Sequence, residues 1–102
     1  MIKIKVTYEN GTIREIRALG HAESAPYGKD LVCAAISAIL WGGFNALSED
    51  NYRFERDQEQ GLGGVTCLAE PSSRDQVVLE TIVTQIESVA LSNPKHVTLE
   101  RK

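Results

Sequence analysis

The stretch from residue 31 to residue 47 constrains the fold more than any other, because it reads as a helix without a polar face. Leu31, Val32, Ala34, Ala35, Ile36, Ile39, Leu40, Trp41, Phe44 and Leu47 cover more than one helical stripe. A helix apolar nearly all round must be covered on several sides. Asp30 reads as its N-cap, so the helix starts at Leu31 and runs to about Leu47. One sheet built from a chain of 102 residues does not cover such a helix fully. Part of it, around Trp41 and Phe44, is therefore expected to touch a second subunit.

Strand signals lie on both sides of this helix. Ile2, Ile4 and Val6 alternate with Lys3, Lys5 and Thr7, which marks a strand over residues 2–8. Asn10-Gly11 supplies the positive φ angles of a tight turn into a second strand, about 12–19. Ile13 and Ile16 break its alternation, which a bulge accommodates. Residues 51–57 and 63–69 read as a second hairpin, joined by a polar, glycine-rich connection from Gln58 to Gly64. Pro71-Ser72-Ser73 introduces a second helix to about Leu91, with Ser73 and Gln76 as a capping box. Val78, Ile82, Ile86 and Val89 give it an apolar face with Leu79 and Val83 beside it, and Asn93-Pro94 stops it. Residues 96–99 suit a short last strand. The order β-β-α-β-β-α(-β) predicts an α+β fold of two layers, a largely antiparallel sheet carrying two helices, in a single domain over 1–102.

Composition narrows the function classes. Hydrophobic residues at 42% are enough for a core without disulfides or a structural metal. Net charge is −3, which argues against direct nucleic-acid binding through a basic face. No long apolar run predicts a membrane span, and the alternating N-terminus does not resemble a secretory leader, so the cytoplasm is the default location. Cys33, Cys67, His21 and His96 show no metal-ligand spacing, so no metal and no cofactor is expected.

Chemistry concentrates at the start of the first helix. With Asp30 as N-cap, Cys33 is the third helical residue, where the helix dipole and nearby amides favour a thiolate. His21 precedes it by a loop, 22–29, of small residues with Pro26, bounded by Gly20 and Gly28. An imidazole returned to the helix start takes the thiol proton and later gives one to a leaving amine. Against this, a lone cysteine in an apolar helix is usually a small buried hydrophobe, and a loop histidine is often merely solvated. Asp30 either caps the helix or orients His21. Ser37, one turn beyond Cys33, either supports the site or bonds back to a helix carbonyl. Cys67, within a strand, reads as core, and His96 has no assigned role.

Gly20-His21-Ala22, then five residues, then Gly28-Lys29-Asp30-Leu31-Val32-Cys33-Ala34-Ala35-Ile36-Ser37 resembles the signature of the ribosomal-processing cysteine protease family, Prp. The likeness runs along the whole chain. It implies a homodimeric α/β protease that removes the N-terminal extension of large-subunit ribosomal protein twenty-seven. The family's catalytic His and Cys match His21 and Cys33. Its Gly, Asp and Ser match Gly20, Asp30 and Ser37. Gly20 and Gly28 then suit hinges of a loop that closes over an extended peptide. Two other readings stay open: a dimeric, non-catalytic module that aids ribosome assembly, and a thiol protein of redox or acyl-transfer chemistry.

Overall fold

The computed structural model describes residues 1–20, 31–48, 50–57 and 62–102. The first strand, β1, is Ile2–Glu9, with Ile2, Ile4 and Val6 buried and Lys3 and Lys5 exposed, as its alternation requires. Asn10 and Gly11 both take positive φ, 54° and 78°, and turn the chain into β2, Thr12–Gly20. Thr7 pairs with Glu15 but Tyr8 pairs with Ile13, which makes Arg14 the extra residue of a bulge. That extra residue is what lets Ile13 and Ile16 both face the core.

The remaining elements are α1 (Leu31–Phe44), β3 (Tyr52–Arg56), β4 (Gly63–Cys67), α2 (Ser73–Ser92) and β5 (Val97–Arg101). The five strands lie in the order β3-β4-β2-β1-β5. All neighbours are antiparallel except β5, which runs parallel to β1 with Ile2 beside Val97. Buried side chains from one face of the sheet and from both helices form one core. The architecture is therefore the expected α+β, with a mixed sheet because the chain returns through α2.

Three local expectations are corrected. The first helix stops at Phe44, and Ala46 N bonds Gly43 O (2.9 Å) and Leu47 N bonds Phe44 O (3.1 Å) in a tightened final turn. Phe44 is not turned to a partner: it is 4% exposed, meets Trp41 edge-on at 5.1 Å and lies 5.4 Å from Phe54. The missing cover for α1 comes from α2 on one flank and the β3 aromatics on the other. Its outward line is simply small, through Ala34, Ala38 and Gly42. The cap of α2 is Ser72, not Ser73. Its hydroxyl accepts from Asp75 N at 3.1 Å, while the Gln76 side chain donates to Glu80 instead of reaching back.

Asp75 explains the shift. Its carboxylate is wholly buried at the third helical position. It accepts Ser48 N and Ser48 Oγ (3.1 and 2.8 Å), the Tyr52 hydroxyl (2.7 Å) and Arg74 (2.9 Å). One group so ties the end of the α1 connection, the start of β3 and the start of α2. Burial pushes this carboxyl up, but bonds from Tyr52, Ser48 and Arg74 outweigh it and hold the pKa down at about 2. A depressed pKa means stability that is present above the ordinary value of 3.8 and lost as pH falls through about 2. We expect this group to remove roughly 2 kcal/mol of stability between those limits. Urea midpoints measured across that range should fall less steeply for Asp75→Asn than for the parent chain. Parallel pH curves would refute the assignment.

Candidate active site

The amino end of α1 carries Cys33 as its third residue, half-buried and packed against the core. Helical geometry explains its setting. Val32, Ile36, Leu40 and Phe44 form the buried stripe of α1. Ala35, Ile39 and Gly43 lie towards α2, and Gly43 is needed because a Cβ there would run into the Ile82 side chain. Cys33, Ser37 and Trp41, four residues apart in turn, occupy the opposite flank, and Trp41 meets Arg56 of β3. Among the described residues, the first turn of α1 carries no acidic side chain of its own, and the start of a helix bears positive potential. Negative charge on the Cys33 sulfur is favoured in such a place.

Gly20 ends β2 opposite Ile2, at φ 97°. A Cβ at this position would strike the Met1 carbonyl oxygen. Both facts require glycine, whatever movement follows it. The substitution Gly20→Ala therefore perturbs the strand end itself, so its kinetics alone do not isolate a hinge. His21, Gly28 and Asp30, with the loop 22–29 and the connection 58–61, lie outside the described residues. Ser37 is half-buried one turn beyond Cys33.

Cys67 has the opposite environment. It sits in β4, 5% exposed, with its sulfur 3.6 Å from Ile13 O. Burial pushes its thiol pKa up, against a smaller pull from Arg14. Neither cysteine is in a disulfide, and they lie on different elements. Among the described residues, no group of three or more His, Cys, Asp and Glu gathers as a metal would require. No helix there is long and apolar enough to cross a membrane.

Two features were not singled out from the sequence. One is the Asp75 network. Its signal was present, since Asp75 precedes Leu79, Ile82 and Ile86 on the buried face at helical spacing. The other is a cluster beside α1, where the Arg56 guanidinium lies 5.0 Å from the Trp41 ring centre and Phe54 is 45% exposed. A separate cavity of about 400 Å³ opens between the start of α1 and the end of α2, lined by Leu31, Val32, Ala35, Ser88, Val89, Ser92 and Asn93. Cys33 does not line it.

Comparison with known proteins places the whole chain in one family and one fold. The family described as cysteine protease Prp matches residues 1–98. A ribosomal processing cysteine protease Prp of Mycoplasma genitalium is 32% identical over 102 residues, all of this chain and 97% of that protein. The Staphylococcus aureus protein of the same name is 26% identical over the full length of both. Among solved structures, the S. aureus protease Prp with a covalently linked product peptide superposes with a TM-score of 0.92 at 25% identity, covering both chains completely. A Streptococcus mutans protein reaches 0.82 at 26% identity, over 99% of this chain and 93% of its own.

The contrast between the two thiols has a direct readout. In the native chain at neutral pH, iodoacetamide should label Cys33 and spare Cys67, as peptide mapping would show. Cys33→Ser should leave the native protein unlabelled, and denaturant should expose Cys67. Equal native labelling of both would contradict the burial argument.

Proposed function

The chain belongs to the cysteine protease Prp family, and we propose that it cleaves peptide bonds with Cys33 as nucleophile and His21 as general base. The observation that carries the reading is the position of Cys33: third in α1, half-buried, at the positive end of a helix. His21 takes the proton from Sγ, and the thiolate adds to the scissile carbonyl carbon. Backbone N–H groups of the first helical turn point at the resulting oxyanion and stabilise it. The His21 imidazolium then protonates the departing amine, leaving an acyl group on Cys33. Water, deprotonated by the same ring, releases it. Asp30 holds the ring or caps the helix, and Ser37 supports the thiol from one turn further along. Gly20 and Gly28 flank the segment that carries the base.

The substrate is the precursor of large-subunit ribosomal protein twenty-seven, whose N-terminal extension is removed before assembly. The S. aureus relative bears a covalently linked product peptide, which fits a nucleophile that passes through an acyl-enzyme. The chain works in the cytoplasm as a homodimer of single-domain protomers. Leu31 and Leu91, 80% and 77% exposed, supply apolar surface for the second protomer at the helix ends.

Purified chain incubated with the precursor should release the extension as one peptide, seen by mass spectrometry. Cys33→Ala should abolish release, and His21→Ala should slow it by roughly 10²–10⁴. Continued processing by Cys33→Ala would remove the thiol from the mechanism and leave a binding role in assembly.

A further inference from the structure

The route by which β3 passes α1 gives the aromatic cluster at the strand edge a function. Tyr52 is anchored at the far end of α1 through Asp75, Phe54 lies against Phe44, and Arg56 lies over Trp41. The strand thus runs antiparallel to α1 and heads towards the end that carries Cys33. Trp41 stands two helical turns from Cys33 on the same flank, about 12 Å along the axis at ~1.5 Å per residue. An extended peptide advances ~3.3 Å per residue, so roughly four residues span that distance.

The edge beside this flank is prepared for an extended chain. Among the described residues β3 is the outermost strand on its side of the sheet. Asp57 N bonds Leu62 O at 2.6 Å, and Leu68 N bonds Asn51 O at 2.8 Å. Antiparallel pairs alternate, so the odd-numbered residues bond β4 and Phe54 turns its own N–H and C=O to the outer edge. Its ring, 45% exposed, lies 5.4 Å from Phe44, which meets the half-buried Trp41 indole edge-on at 5.1 Å, and that indole faces the Arg56 guanidinium. Aromatic faces rimmed by a cation, with a free backbone donor and acceptor alongside, suit one apolar side chain of a peptide strand.

Resting on the cysteine-protease reading, we propose that Trp41, Phe54 and Arg56 form a distal substrate subsite. It grips an apolar side chain of the extended peptide roughly four residues from the bond cut at Cys33. The subsite lies along the continuous row Cys33–Ser37–Trp41, which makes the peptide substrate its occupant.

Trp41 is the sole tryptophan, so it reports on its own neighbourhood. Cleavage by the parent chain of a long peptide, about six residues on each side of the precursor junction, is established first. Failure at that step counts against the protease reading alone. The long peptide, and versions truncated about two residues from the junction on either side, are then titrated into Cys33→Ala. Binding is followed both by Trp41 emission and by polarisation of a dye on the peptide. The long peptide should shift Trp41 emission, and at least one truncation should remove the shift. Phe54→Thr should weaken the long peptide about tenfold, the loss of a partly buried aromatic contact. Arg56→Gln should weaken it roughly two- to fivefold, as expected for a cation on a ring. The ratio of long- to short-peptide affinity should fall accordingly, while Gln85→Ala, on the exposed side of α2, keeps it. Saturating polarisation with no change in Trp41 emission would overturn the subsite. So would an unchanged affinity ratio in Phe54→Thr.

Discussion

The faces that α1 turns to the rest of the protein depend on how closely it approaches α2. Gly43 sits where any Cβ would meet Ile82, so the helices touch through backbone on one side and a branched side chain on the other. Towards the helix start the two helices part around the cavity that Ala35 lines with Ser88 and Val89. With the Gly43 end of this flank packed on α2 and the Val32–Ile36–Leu40 stripe turned to the core, the opposite flank carries the half-buried polar side chains of α1. Cys33, Ser37 and Trp41 occupy it. The site is thus a consequence of which side of a nearly wholly apolar helix was left over.

That leftover flank would be of little use if β3 could drift. The strand is short and lies at the edge of the sheet, where pairing on one side alone holds it weakly. The buried Asp75 carboxylate counteracts this by binding Tyr52 at the strand start and Ser48 just before it. A buried charge is tolerable only when its bonds are satisfied, and here donors from three segments converge on it. The ion pairs of Arg17 with Glu15 and Glu55, on the solvent face, contribute far less because water screens them. The edge strand is therefore tied to both helix-flanking segments by one internal anion.

Much of the fold was legible because local chemistry and tertiary packing agree. Asn10-Gly11 had to turn, and the odd spacing of Ile13 and Ile16 had to be absorbed by a bulge. What escaped was non-local. The sequence offers Ser72 and Ser73 as rival caps, and only the burial of Asp75 chooses Ser72. Trp41 and Phe44 read as unsatisfied surface because their cover, Phe54 and Arg56, comes from a strand whose place in the sheet no pattern on α1 reveals. The parallel pairing of β5 likewise follows from where α2 returns the chain. At the candidate site, the start of α1 and the place of Cys33 in its first turn were readable, whereas the cluster of Trp41, Phe44, Phe54 and Arg56 further along the helix was not.

The two cysteines show why position, not residue type, carries the functional argument. Cys67 lies in a β-strand whose neighbours close over it, and its proton is held more tightly as a result. Cys33 differs in one structural respect that matters chemically: it is half-buried in the first turn of a helix, where the peptide dipoles favour an anion. Moving the same thiol four residues along the helix, to the place of Ser37, would keep the flank but leave the end of the dipole, since that field fades within the first turn. The third position of α1 is therefore the point on this flank that suits the proposed nucleophile, half-buried and within the first helical turn.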